Sequence, residues 1–297
     1  MNFLQKFLII INIIFLLIQL FLMGTIEMPL KDYFFSLFVP IIIIFNLLFF
    51  FYWLLISKWP FLLFILTFLI GYNEWSLFYK LPQTELRKSG STFSVMSYNV
   101  RLFNKYKWID KSNISGEIEK LIIEENPDLL CIQEYSNEMA PKLEKYKHRH
   151  IYPIASNGEK STVAIFSKFK IKSKGSIDFK NSSNCGIYID VAYRKQDFRI
   201  YNLHLESFKL DPVDSMTNPN FSKNFKSKFK NVSNRQIEQI NLFKKIDKYN
   251  DKPSIIAVDL NNTQFSEVYK VLSENKIDAF HKAGSGFGQT YQYSFIP

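Results

Sequence analysis

Cysteine is scarce: Cys131 and Cys185 are the two in 297 residues. They form no Cys-x-x-Cys pair and have no zinc spacing, and they imply no disulfide framework. Cys131 sits in an apolar run and reads as a small buried hydrophobe. Glycine is also sparse, and the glycines at 284, 286 and 288 are not followed by Gly-Lys-Ser/Thr. That excludes a phosphate loop there. No internal repeat of fixed period is present. Residues 1–79 lack net charge, because Lys6, Lys31 and Lys58 balance Glu27, Asp32 and Glu74. The net charge of +10 therefore falls on residues 80–297. A basic domain favours anionic partners such as nucleic acid, lipid headgroups or phosphorylated small molecules, although a solvated lysine surface gives the same composition.

What the N-terminal part has instead is apolar length. Phe7 to Met23 and Phe34 to Ile56 are each long enough to cross a bilayer core as a helix. A third run, Trp59 to Tyr72, spans only if it continues through Trp75 to Tyr79. A cleaved signal peptide fits less well, since the first run is long and a second follows at once. The expectation is a membrane anchor of two or three transmembrane helices over residues 1–80. A polar linker over 81–91 follows, then a soluble domain from 92 to 297. Lys6 and the N-terminal amine favour an inside N-terminus; three spans then place the domain outside, whereas a third run lying only in the interface leaves it facing the cytoplasm.

The soluble part alternates strand and helix signals. Phe93 to Asn99 alternates like a strand, and 116–125 has helical spacing closed by Asn126-Pro127. Asp128 to Gln133 and Thr162 to Ser167 are short apolar runs that suit buried strands. Ile187 to Tyr193 and Phe198 to Leu205 flank a polar turn and predict a hairpin. Residues 208–234 read as a polar inserted loop, 235–248 as an amphipathic helix, 254–258 as a buried strand and 265–275 as a helix. The insertion carries Lys209, Lys223, Lys226, Lys228 and Lys230, with Phe221, Phe225 and Phe229 spaced by four. It reads either as a packed amphipathic helix or as one touching anionic lipid or phosphate.

Several strands end in a residue of catalytic type: Asn99, Glu134, His204 and Asp259, with Asn261 two further on. Strand ends converge at one edge of a sheet without being near in sequence. Carboxylates, an amide and an imidazole together suit metal-assisted phosphoryl chemistry, with a hard cation such as Mg²⁺ taking oxygen ligands. Singly, each has an ordinary explanation: a turn cap, a solvated acid, a packed histidine, a helix N-cap. His281 lies in a stretch that reads as a flexible loop.

The segments MSYNVRLFN (96–104), PDLLCIQEY (127–135), YNLHLES (201–207) and VDLNNTQFSEVY (258–269), with QTY at 289–291, come in one order. They resemble the successive motifs of the endonuclease/exonuclease/phosphatase superfamily, and the apolar N-terminus resembles a membrane-anchored bacterial branch of it. The resemblance implies an α/β four-layer sandwich, with two packed mixed β-sheets flanked by helices. It implies a hydrolase acting on a phosphate ester, in nucleic acid or a lipid headgroup, at the bacterial inner membrane; the external domain expected from three spans would then lie in the periplasm. It also implies roles. Glu134 matches the metal-binding glutamate and Asn99 the asparagine supporting a Mg²⁺ or Mn²⁺ site. His204 matches a phosphate-contacting histidine, and Asp259 an aspartate that orients the attacking water or the base. Asn261 matches an asparagine bonded to the scissile phosphate. The family's glycine and phenylalanine around Asp259 are Val258 and Leu260 here. Its closing Ser-Asp-His segment, with the base histidine, is not found before Pro297. The expectation is thus a domain lacking its last segment, with a catalytically inactive phosphate-binding domain as the alternative.

Overall fold

The structure, a computed structural model, describes residues 1–24, 36, 38–82, 92–153, 161–208, 221–288 and 290, with backbone alone for 221–226. In chain order its helices are α1 (Phe3–Met23), α2 (Val39–Leu55), α3 (Phe61–Ile70), α4 (Tyr72–Phe78), α5 (Ile114–Glu125), α6 (Phe221–Asp247), α7 (Glu267–Ser273) and α8 (Ala279–Ala283). Its strands are β1 (Tyr79–Lys80), β2 (Val95–Asn99), β3 (Leu129–Gln133), β4 (His148–Tyr152), β5 (Val163–Ser167), β6 (Ile171–Asp178), β7 (Cys185–Tyr193), β8 (Gln196–His204), β9 (Ser254–Asp259) and β10 (Gly286–Phe287). The chain forms two compact units. One comprises 1–87, 219–230 and 262–297, and the other 88–218 and 231–261.

In the first unit, α1 starts on a reciprocal cap. The Asn2 side chain accepts from the Gln5 amide at 2.8 Å, and Gln5 Oε1 accepts from the Asn2 amide at 3.2 Å. This satisfies donors that a helix start leaves open. Gly24, at φ 82°, ends the helix in the left-handed conformation that glycine adopts without cost. Leu16, Met23, Val39, Ile43, Phe64 and Trp75 pack together. Asn46 donates to Gln19 Oε1 at 2.8 Å, and both side chains are buried. Much of the rest is apolar and uncovered, including Leu4, Phe7, Ile10, Leu17, Leu48 and Leu66. Helix α1, at 21 residues, is the one described helix long and apolar enough to cross a membrane by itself. Helix α2 has 17 residues, and α3 meets α4 at 91°. The expected third span therefore requires a sharply broken pair, so the three-span count behind an external domain rests on it. The 81–91 linker is described only at 81 and 82.

The second unit holds two four-stranded sheets, ordered β2-β3-β5-β4 and β6-β7-β8-β9. Each is mixed: β2 runs parallel to β3 and β8 parallel to β9, and the other pairs are antiparallel. Period-two alternation decides which side chains meet. Leu129, Cys131, Val163 and Ile165 face Ile187, Ile189, Val191 and Ile200 between the sheets. Leu130, Ile132 and Phe166 point the other way, onto Ile118 and Ile122 of α5. Beyond the second sheet, Phe243 of α6 meets Tyr201 edge-on at 4.9 Å. Two mixed sheets flanked by helices result. Burial pushes the Cys131 thiol up to about 12, which suits an inert packing residue.

Two sequence expectations need correction, and two strands were not anticipated. Helix α6 begins at Phe221, so the predicted loop over 208–234 is helical from 221 onward. Phe229 is buried, as a packed amphipathic helix requires; residues 209–220 lie outside the described residues, as do the side chains of 221–226. The stretch around His281 contains α8 rather than a loop, capped by Asp278, whose side chain accepts from the His281 amide at 2.9 Å. His281 Nε2 lies 2.6 Å from Ser76 Oγ. Strands β4 and β6 had no counterpart in the sequence reading.

Candidate active site

The two parallel pairs set up the site. Their registers align Asn99 with Gln133 and His204 with Asp259, so four chemistry-bearing positions fall at carboxyl ends of neighbouring strands. Glu134 follows directly after β3. Contacts of β3 with β8 and of β2 with β9 across the sandwich bring these ends together.

Asn99 is the hub. Its Oδ1 accepts from the Arg101 amide at 2.9 Å, which fixes the direction of its amide group. Its Nδ2 then donates to Glu134 Oε1 at 3.0 Å and to Asp259 Oδ2 at 2.6 Å. Residues Arg101 to Asn104 all have positive φ, a left-handed turn that carries the chain away from Asn99. Glu134 and Asn261 are also left-handed, at φ 50° and 49°. Such backbone costs about 1–3 kcal/mol per residue and clusters at functional sites. The Leu102 amide donates to the Glu134 carbonyl at 2.9 Å and holds that turn.

His204 completes the group. Its Nε2 lies 3.9 Å from Glu134 Oε1 and 3.8 Å from Asp259 Oδ2. That nitrogen is buried and has no hydrogen-bond partner among the described residues. On the other side of the ring, Nδ1 lies 3.1 Å from Ser161 Oγ. Glu134, His204 and Asp259 offer ligand atoms within 4.8 Å of one another. A buried polar atom left open is costly unless something engages it. Two carboxylates sharing one amide also concentrate negative charge. Oxygen donors from carboxylates, with an imidazole beside them, are the set a hard divalent cation takes, so these residues fit Mg²⁺ or Mn²⁺.

Asn261 stands at the rim. Its backbone amide donates to Asp259 Oδ1 at 3.1 Å, and its Nδ2 donates to the Leu205 carbonyl at 3.0 Å. One bond thus orients the Asp259 carboxylate, and the other commits part of the Asn261 amide to the loop after β8. The His204 ring faces the carboxylates and is buried.

Residues the sequence reading passed over form the scaffold behind. Gln133 donates to Asn202 Oδ1 at 2.6 Å and to Ser97 Oγ at 3.1 Å. Asn202 donates to the carbonyls of Ile132 and Ala164, both at 2.9 Å. Both amides are buried and tie the second sheet to the first. Their signal was alternation: Asn202 lies two before His204, on the same face of β8. From α6, Gln236 donates to the carbonyls of Glu206 at 2.7 Å and Leu260 at 3.1 Å. That fixes the loops after β8 and β9. Of the QTY segment, only Thr290 is described.

The second unit is therefore a two-sheet α/β domain with a carboxylate–imidazole centre where the ends of four strands meet. A sequence model of the Endonuclease/Exonuclease/phosphatase family matches residues 96–297, and the chain belongs to that family. No curated protein matches it in sequence. Among solved structures, a humanized D. rerio TDP2 is similar, at 17% identity over 63% of this chain and 68% of that one, TM-score 0.44. TDP2 from Caenorhabditis elegans shows 19% identity over 60% of this chain and TM-score 0.42, and the chain spans half of that protein's length. Sphingomyelinase C from Streptomyces griseocarneus shows 16% identity over 62% and 70% of the two chains, TM-score 0.45.

Proposed function

We propose that this protein is a membrane-held, Mg²⁺- or Mn²⁺-dependent phosphodiesterase whose centre is Glu134, His204 and Asp259, with Asn99 and Asn261. The observation that carries the reading is the pair of carboxylates drawn onto one amide beside an unpartnered buried imidazole nitrogen. Glu134 and Asp259 would hold the ion, which when bound supplies positive charge to polarise a phosphoryl oxygen. Asn99 keeps the two carboxylates at a fixed separation in the absence of substrate, so no reorganisation is needed later. Ser161 orients the His204 ring so that Nε2 points at the acidic pair. Asn261 fixes Asp259 through its backbone amide. Its remaining amide hydrogen is available to a phosphate oxygen. The substrate class is a phosphodiester, in nucleic acid or a lipid headgroup.

The membrane part of the proposal rests on α1. Its 21 residues reach about 31 Å, the thickness of a hydrocarbon core. Its uncovered Leu4, Phe7, Ile10, Ile14 and Leu17 suit contact with lipid better than with water.

The test is hydrolysis of bis(4-nitrophenyl) phosphate by the full chain in non-ionic detergent. Turnover is expected with Mg²⁺ or Mn²⁺, to fall by about 100-fold or more with EDTA, and to return when the ion is restored. Turnover indifferent to EDTA would overturn the metal-dependent reading. No turnover with any divalent ion would favour a domain that binds phosphate without cleaving it.

A further inference from the structure

The chain leaves the acidic centre by a short path. Strand β9 ends at Asp259, and Asn261 is the last residue of the second unit before the first unit resumes at 262. Four residues after Asn261, Phe265 is buried in the core of the first unit. It belongs to the apolar cluster built by Leu16 and Met23 of α1, Ile43 of α2, Phe64 of α3 and Trp75 of α4. Beside it, Gln264 Nε2 donates to the Leu77 carbonyl at 3.1 Å, in the last turn of α4, where a helix leaves its carbonyls open. Further along, His281 meets Ser76 and β10 pairs with β1. The chain from 264 to 287 is thus fastened to α4 and β1 at several points.

The path from Asn261 to Phe265 is stiff. Within it the Thr263 amide donates to Asn262 Oδ1 at 2.8 Å. The Ser266 amide and Oγ both donate to the Thr263 carbonyl, at 3.0 and 2.6 Å. Ser266 Oγ also accepts from the Tyr269 amide at 3.2 Å and starts α7. At the other end, Gln236 donates to the Leu260 carbonyl, and the Asn261 amide donates to Asp259 Oδ1. The left-handed backbone of Asn261 persists only where its surroundings hold it. Attachment of one unit to the other requires none of this, because a flexible polar linker would serve. The chain already supplies such a crossing between 87 and 88.

We propose that Phe265 is a positioning residue: its seat among the N-terminal helices holds the loop that carries Asp259 and Asn261, which makes the helix bundle part of the scaffold of the acidic centre as well as an anchor. The coupling runs along four residues of backbone and requires no contact between the units. Its weight for catalysis rests on the reaction proposed above, whereas the loop itself can be followed without turnover. The test is hydrogen exchange of the full chain in non-ionic detergent, read by mass spectrometry. In Phe265→Ala the stretch 260–263 is expected to exchange about tenfold faster or more, while the strands over 129–133 and 187–203 keep their rates. Phe265→Leu refills most of the volume and should restore most of the protection. Phe287→Ala removes the ring that meets Phe78 and Tyr79 at the far end of the segment, and should leave 260–263 unchanged. Turnover of bis(4-nitrophenyl) phosphate should fall by about tenfold or more in Phe265→Ala and recover in Phe265→Leu. Unchanged exchange of 260–263 in Phe265→Ala would overturn the proposal. So would faster exchange throughout both sheets, which would give Phe265 a role in global stability alone. Local loosening with full turnover would overturn it too, since the centre would then not depend on the loop. Local loosening in a chain that is inactive in every form would support the positioning of the loop and count against the phosphodiesterase.

Discussion

Glu134→Gln is expected to lower metal-dependent turnover by about 10²–10³-fold without unfolding the protein. The amide is nearly isosteric with the carboxylate. Its oxygen still accepts the Asn99 Nδ2 hydrogen bond that Oε1 accepts at 3.0 Å. What goes is one of two negative charges facing His204 Nε2. The Glu134 side chain is 30% exposed, so no buried partner is stranded. Its backbone carbonyl still takes the Leu102 amide. Two carboxylates on one amide destabilise a metal-free fold, and an active site often trades stability for function. The metal-free melting temperature of the variant should therefore equal or exceed that of the unaltered chain. Activity assays paired with metal-free thermal melts check both halves. A fall in melting temperature matching the loss of activity would mean that Glu134 is structural.

The largest stability effect is expected at Arg199. Its Nε and Nη2 donate to Asp190 at 2.6 and 2.8 Å, and its guanidinium lies 4.2 Å from the centre of the Tyr188 ring. Asp190 also receives Ser173 Oγ at 2.6 Å and is almost fully buried. Burial alone would raise its carboxyl. Arg199, Ser173 and Lys252 outweigh that and hold it below the usual carboxylate range. Arg199→Met leaves the carboxylate buried and short of its main partner, which costs about 3–5 kcal/mol. In a domain of this size that is a drop on the order of 10 °C in melting temperature. The pH sign follows from the lowered carboxyl. The pair stabilises the fold above the unfolded-state value of 3.8, and that contribution is lost as pH falls through the lower folded-state value. Melting curves of the two proteins should thus differ most above about pH 5 and converge in acid. A constant difference at all pH values would mean that lost packing on Tyr188, not charge, dominates.

The legibility of the fold in the sequence follows burial. Strands β3 and β5 are buried on both faces, so LLCIQ and VAIFS announce themselves as apolar runs. The β7–β8 hairpin shows through its polar turn. Strands β4, HRHIY, and β6, IKSKGSID, are outer strands half-open to water, and their polar composition hides them. The start of α6 was half-legible: its lysines and asparagines resemble a loop, whereas Phe221, Phe225 and Phe229 spaced by four already suit the packed helix that the buried Phe229 belongs to. In the site, residue types at strand ends were visible. The single amide joining Glu134 and Asp259 was not, because Asn99 reaches partners 35 and 160 residues away. Nor were Gln133 and Asn202 visible, since buried polar side chains inside apolar strands read as exceptions until their partners are known.

The measurement that bears most directly on the centre is a Mn²⁺ titration of the metal-free full chain, followed by the electron paramagnetic resonance signal of the free ion. The chain should take up Mn²⁺ at a site that Glu134→Gln with Asp259→Asn removes. Uptake that survives the double carboxylate change, or no uptake by the unaltered chain, would contradict a metal centre on Glu134, His204 and Asp259.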